Sequence, residues 1–203
     1  MNKFILVVII LVIGGMVVWN YQNRTDLVDS ISSPQISSGQ VGSSIFDKSR
    51  ITKKPFGIYI TPANSPVQPE KFSGYHTGVD LETTAEEANI DVRVPVLFDG
   101  KLVMKKYATG YGGVLVEEAT VEGQQMTIVY GHVKLSSVTN AVGADIKKGD
   151  ILGVLGKGYS TETDGERKHL HFGIHLGPAI NILGYVQKKS DLANWLYPAV
   201  FLK

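Results

Sequence analysis

The sequence predicts a mostly β fold: an antiparallel β-sheet or sandwich domain over residues 51–203, preceded by one N-terminal apolar helix (1–19) and a flexible linker (20–50). Three observations predict it. Runs rich in β-branched and apolar residues recur between Gly- and Asp-containing turn signals, with little helical periodicity. In the stretch Lys168-His169-Leu170-His171-Phe172-Gly173-Ile174-His175-Leu176, Leu170, Phe172, Ile174 and Leu176 alternate with His169, His171, Gly173 and His175, the period of a strand. Ahead of both, an unbroken apolar run from Phe4 to Trp19 gives way to a Ser-, Gln- and Asn-rich stretch.

Composition excludes several classes. The 203 residues carry a formal net charge of +1, so no basic surface argues for a nucleic-acid partner. The absence of cysteine removes disulfides, thiolate metal sites and a cysteine nucleophile. An apolar share of 43% suffices for a core.

The apolar run follows Lys3 and would span ~24 Å as a helix, a little under a bilayer core of ~30 Å. It exceeds a usual signal-peptide core of ~7–15 residues, and no alanine precedes Ala63, so an A-x-A cleavage site is missing. The expectation is an uncleaved membrane anchor. Lys3 lies on one side of it, Arg24 and Asp26 on the other; this places the rest of the chain outside the cytoplasm. Residues 20–50, with repeated Ser-Ser pairs, have the composition of a tether.

The globular part opens at Lys53-Lys54-Pro55-Phe56-Gly57. Ile58-Tyr59-Ile60 is a short strand stopped by Pro62, and Pro66 and Pro69 keep the following stretch irregular. Val92–Phe98 and Lys101–Tyr107 flank Asp99-Gly100, a hairpin signal. A second hairpin runs from Gly112–Val116 through Glu122-Gly123 into Met126–Tyr130. Lys147–Asp150 is a turn leading into Ile151–Gly156, and Thr161–Lys168 is a polar loop feeding the histidine strand. Near the end, Ser190 is positioned to cap a helix over Asp191–Leu196, before Pro198.

Of five histidines, three lie in the alternating strand. His169 and His171, ~6.6 Å apart on one face, can address a single site. His76-Thr77-Gly78-Val79-Asp80 is the second candidate. On a straight strand His76 and Asp80 would be ~13 Å apart, so the segment must bend if they share a site, and Gly74 and Gly78 permit bending. Tyr130-Gly131-His132 closes a predicted strand. Imidazole nitrogen and carboxylate oxygen are zinc ligands in hydrolytic sites, where three protein ligands leave one position for water.

These motifs, G-Y-H-T-G-V-D, Y-G-H and H-L-H-F in this order, together with Val94-Pro95-Val96, Gly110-Tyr111-Gly112-Gly113 and Val142-Gly143 to Leu155-Gly156, resemble the lysostaphin/LytM-type zinc endopeptidases of bacterial cell walls. The resemblance spans roughly residues 55–180. It implies that one zinc ion is held by His76, Asp80 and His171, and that His132 and His169 are the catalytic histidines. It implies hydrolysis of peptide bonds in peptidoglycan stem or cross-link peptides by a metal-activated water. It further implies an envelope location and cell-wall or division-machinery proteins as candidate partners, with the membrane engaged by the N-terminal segment.

The sequence departs from the family's pattern at Val133, at Gly173, and in the charged loop Glu162, Asp164, Glu166, Arg167, Lys168. These touch the groove rather than the five histidine and aspartate positions. His175 shares the parity of the site but lies two residues further along, and is expected at the groove rim. The rival reading is a non-enzymatic domain of this type that binds or activates another wall hydrolase; such domains lack zinc ligands, and this chain has all three. Val103-Met104-Lys105-Lys106 is a weak cue for a lipoyl- or biotin-carrier domain, which would leave the histidines without a purpose. Autoinhibition by Asn20 or Asn23 of the tether is conceivable on the resemblance, and nothing in the sequence positions either residue.

Overall fold

The alternation at residues 169–176 produces the strand it predicts, and the sheet is arranged around it. The computed structural model describes residues 44–203. In chain order its strands are β1 (Tyr59–Ile60), β2 (Gly74–His76), β3 (Gly78–Glu82), β4 (Arg93–Pro95), β5 (Gly100–Ala108), β6 (Gly112–Val121), β7 (Gln124–Gly131), β8 (Asp145–Ile146), β9 (Ile151–Val154), β10 (His169–Leu176), β11 (Tyr185–Val186) and β12 (Trp195–Leu196). Their pairings are antiparallel throughout. The main sheet runs β12-β10-β7-β6-β5-β8, with β3 also on β10. Along one edge β10 pairs with β7 from His171 to Leu176. Along the other it takes β3 from His169 to Gly173 and then β12 at Ile174 and His175. Two small sheets, β1-β2-β11 and β4-β9, complete the fold.

Parity sorts the two faces. Leu170, Phe172 and Ile174 of β10 are fully buried with Val79 and Leu81 of β3, Ile128 and Tyr130 of β7, and Leu115 of β6. Removing these side chains from water is the main stabilising term, roughly 1.5–3 kcal/mol for each large one. The opposite face carries His169 and His171 beside a smaller apolar cluster of Tyr111, Val114, Val116, Val129 and Trp195.

The Glu122-Gly123 hairpin joins β6 to β7 as expected, both residues adopting positive φ, 51° and 81°. Asp99-Gly100 does not make a hairpin, because β4 pairs with β9 rather than β5. The Asp99 carboxylate instead accepts the Lys148 amide at 2.9 Å and the Lys147 ammonium at 3.1 Å, tying two turns together. The expected helix at Asp191–Leu196 is a 3-10 helix at Lys189–Asn194 followed by β12. Ser190 does not cap it; its hydroxyl reaches the neighbouring Asp191 carboxylate at 3.3 Å.

The expected linker boundary at residue 50 falls inside the packed chain. Ile45 is 1% exposed, Phe46 packs at a tilt against Phe172 with ring centroids 4.9 Å apart, and Arg50 forms a buried two-pronged pair with Glu87 at 2.7 and 2.8 Å. The apolar run 4–19 and most of the Ser-rich linker, Asn20 and Asn23 included, lie outside the described residues. Among the described residues no helix is long and apolar enough to cross a membrane.

Among the buried acids that were not expected, Glu117 lies deepest in the core. Glu117 of β6 sits at core parity and is fully buried. Its carboxyl accepts the Phe98 and Leu97 amides at 2.9 and 3.3 Å and meets the Tyr130 hydroxyl. Burial pushes its pKa up to about 7.

Candidate metal centre

The bend required between His76 and Asp80 is a change of sheet. β2 belongs to the small β1-β2-β11 sheet, β3 to the main one, and Thr77 between them is claimed by a third segment. Its amide donates to the Gly184 carbonyl at 3.0 Å and its hydroxyl to the Leu183 carbonyl at 2.5 Å. Gly78 is required by crowding: a Cβ there would lie 2.5 Å from the Phe172 carbonyl oxygen and 2.9 Å from His171 Nε2. The turn through Thr77 brings His76 Nε2 to 3.3 Å from Asp80 Oδ1. Register does the rest, since β3 places Asp80 directly opposite His171 of β10. His171 Nδ1 is 3.3 Å from Asp80 Oδ1 and 3.1 Å from His76 Nε2.

The triangle His76 Nε2, Asp80 Oδ1, His171 Nδ1 fits a tetrahedral metal. Ligand bonds of ~2.0–2.1 Å make a tetrahedral edge of about 3.3 Å, and the three observed separations are 3.1–3.3 Å. Proton bookkeeping agrees. His76 Nδ1 faces the Pro55 carbonyl at 3.2 Å; a carbonyl only accepts, so Nδ1 carries the hydrogen and Nε2 presents a lone pair to the centre. A ligating histidine characteristically donates its other N–H in this way. The His76 lone pair, the Asp80 oxygen and His171 Nδ1 converge within 3.3 Å of one another, three atoms that a single cation can bind together. His76, Asp80 and His171 are all buried and could hold a metal ion.

His132 and His169 form a second pair beside this triangle, ring centroids 4.2 Å apart. His132 follows the end of β7 at φ 64°, a left-handed conformation uncommon for a residue with a side chain and often found where function dictates geometry. Its Nδ1 is buried without a hydrogen-bond partner. His169 Nδ1 donates to the Arg167 carbonyl at 2.9 Å, which leaves the lone pair on Nε2, 3.3 Å from Asp80 Oδ2. The five residues singled out by spacing and resemblance thus come together. His175 does not: its ring lies edge-on to Trp195 at 4.9 Å.

Burial pushes the His171 imidazole down to about 4 against the pull of Asp80, so the ring is uncharged at neutral pH. Burial and the neighbouring His169 hold His132 well below the ordinary imidazole range. Burial alone would raise Asp80; the imidazoles of His169 and His76 outweigh it and hold the carboxyl well below its usual range. Uncharged His171 and His132 and an ionised Asp80 are the forms that bind a metal or accept a proton.

The centre opens into a cavity of about 420 Å³ walled by Phe72, Tyr111, Ile182, Leu183, Gly184 and Tyr185 among others. The Lys54–Glu70 pair at 2.6 Å is buried beside it, the ammonium also reaching Tyr185 Oη at 3.1 Å. Sequence reasoning missed Arg167. It is 6% exposed and donates through Nη2 to Asp80 Oδ2 at 2.8 Å. Its only forewarning was its place in the charged loop.

Residues 74–182 match the model of Peptidase family M23, more than half of the chain. No curated protein matches. Among solved structures the chain is similar to one described as LytU, at 23% identity and TM-score 0.49, covering 82% of this chain and 88% of that one. It is similar to a CbpA of L. salivarius REN at 20% identity and TM-score 0.45, covering 73% and 83%. It is also similar to Csd3 of Helicobacter pylori at 27% identity and TM-score 0.41, covering 68% and 33%. All five residues of the candidate centre fall within the family match, and on that match the chain belongs to peptidase family M23.

Proposed function

We propose that this protein is a zinc-dependent endopeptidase that hydrolyses peptide bonds in peptidoglycan stem or cross-link peptides. The observation that carries the reading is the triangle of His76 Nε2, Asp80 Oδ1 and His171 Nδ1, with edges of 3.1–3.3 Å, in a chain of a peptidase family. In this reading those three atoms hold one zinc ion. When bound, zinc supplies a Lewis acid that acidifies water and polarises a carbonyl.

The chain's own residues do the rest. His169, its Nδ1–H fixed on the Arg167 carbonyl, keeps Nε2 free to take a proton from the attacking water. His132, buried and uncharged at rest, holds the water or, once protonated, stabilises the developing oxyanion and hands a proton to the leaving amine. The two rings are close enough to exchange these roles. The apolar wall around Phe72, Tyr111 and Ile182 limits water and strengthens each electrostatic contact.

The domain organisation proposed with this reading is an N-terminal membrane anchor at 1–19, a linker, and the peptidase domain in the cell envelope, where peptidoglycan lies. The test is mass spectrometry of muropeptides after incubation with the zinc-loaded full chain. New amino and carboxyl termini at a defined peptide bond are expected. A protein that retains zinc and releases no fragment would instead be a binding or activating domain.

A further inference from the structure

We propose that Arg167 is a positioning residue of this centre: its guanidinium, anchored on Glu82, holds Asp80 so that one carboxylate oxygen alone faces the metal position. The inference rests on reading the His76–Asp80–His171 triangle as a metal site and adds a residue outside the histidine and aspartate motifs.

The placement follows from register. Asp80 and Glu82 lie two apart on β3, so they share a face. They stand opposite His171 and His169 respectively. Two acids and two imidazoles thus form a square across one strand pair, and Arg167, just ahead of β10, lies against its acidic side. Its Nε and Nη2 donate to the two Glu82 oxygens at 2.9 and 2.5 Å, the two-pronged geometry that a guanidinium favours. The same Nη2 reaches Asp80 Oδ2 at 2.8 Å.

Asp80 is therefore divided. Oδ1 faces His76 Nε2 and His171 Nδ1, each at 3.3 Å. Oδ2 is taken by Arg167. A carboxylate released from this hold could turn both oxygens to the metal and occupy the position that a hydrolytic site keeps open. Arg167 acts on the second histidine pair as well, because its backbone carbonyl receives His169 Nδ1–H at 2.9 Å. One residue thus orients a ligand through its side chain and a proton-transfer imidazole through its main chain. Partners of this kind typically alter metal affinity by 10–100-fold when removed.

The alternative is that the ion pairs merely tether the loop before β10. Cobalt(II) substitution of the full chain separates the two, because the intensity of its visible bands falls as coordination rises above four. In wild type we expect strong four-coordinate bands. Arg167→Met should weaken them and lower zinc affinity, measured by chelator competition, by ~10–100-fold. Glu82→Gln, which removes only the anchor, should move both readouts the same way by less. Arg167→Lys should rescue little, since an ammonium cannot bridge both acids in one plane. If Arg167→Met fails to fold, Glu82→Gln decides the matter alone. Wild-type bands and wild-type zinc affinity in the folded variants would overturn the positioning role and leave the metal site standing. A wild-type protein that takes up neither zinc nor cobalt would overturn the metal site itself, and the role of Arg167 with it.

Discussion

His169 and His171 sit two residues apart on one face of one strand, yet they meet Asp80 through different oxygens, His169 at Oδ2 and His171 at Oδ1. The proposed roles differ accordingly. His171→Ala should empty the site of zinc. His169→Ala should keep zinc near stoichiometric while activity falls ~10²–10⁴-fold, the usual worth of a general acid or base. Metal content by plasma mass spectrometry beside hydrolysis rates checks both; zinc lost from His169→Ala and kept in His171→Ala would reverse the assignment. Glu117 gives a pH prediction away from the centre. Its pKa is raised to about 7 from an ordinary 4.5, so the fold keeps a proton that the unfolded chain has lost. The stabilisation is complete below about pH 4.5 and disappears as pH rises through about 7. Between pH 5 and 8 wild type should lose on the order of 2–3 kcal/mol more stability than Glu117→Gln, the neutral isostere, as read by urea unfolding of the metal-free proteins. The five histidine and aspartate positions were legible because spacing and motif order carry them. Arg167 and Glu117 were not, because a charged residue is buried only where distant partners meet it: Asp80 and Glu82 for one, the Leu97 and Phe98 amides for the other.

At the scale of elements, the legible part was periodicity and the illegible part was pairing. Alternation in β10 assigned its core face correctly, and the ~13 Å span of a straight strand demanded a bend between His76 and Asp80, which the chain makes at Thr77. What alternation cannot say is which strand lies beside which, so Asp99-Gly100 looked like a hairpin although β4 joins β9. Short-range propensity also overstated Ser190 as a cap, since tertiary pairing with β10 draws Trp195 and Leu196 into β12 instead. The β2–β3 junction is the most sensitive of these elements. Gly78→Ala puts a methyl group 2.5 Å from a backbone oxygen and 2.9 Å from His171 Nε2, so strand or imidazole must move. We expect a loss of ~1–3 kcal/mol, typical of overpacking, together with weakened zinc binding. Thermal unfolding and zinc titration of the variant measure the two; a variant with unchanged midpoint and unchanged affinity would show that the junction yields without strain.

At the scale of the molecule, the packed chain begins before the boundary that composition suggested. Ser-rich sequence reads as tether, but Ile45 and Phe46 are apolar islands within it, and both pack on the core formed by Tyr130 and Phe172. A chain starting at residue 44 should unfold cooperatively. One starting at residue 52 loses the Ile45 burial, worth ~1.5–3 kcal/mol, and leaves Glu87 buried without Arg50, at ~3–5 kcal/mol. A midpoint difference between the two in urea is the expected result, and identical midpoints would return the boundary to residue 50.

From His171 to His175 the central strand is paired on both edges, with β7 along one and β3 then β12 along the other. That double pairing bears on recognition. A protein that grips peptides often does so by lending a free strand edge, so that main-chain hydrogen bonds supply affinity whatever the guest's side chains. Here the strand nearest the chemistry has no main chain left to lend over that stretch. A guest lying beside it must be held by side chains. Selection then turns on the guest's own side-chain chemistry and on its fit to a walled cavity.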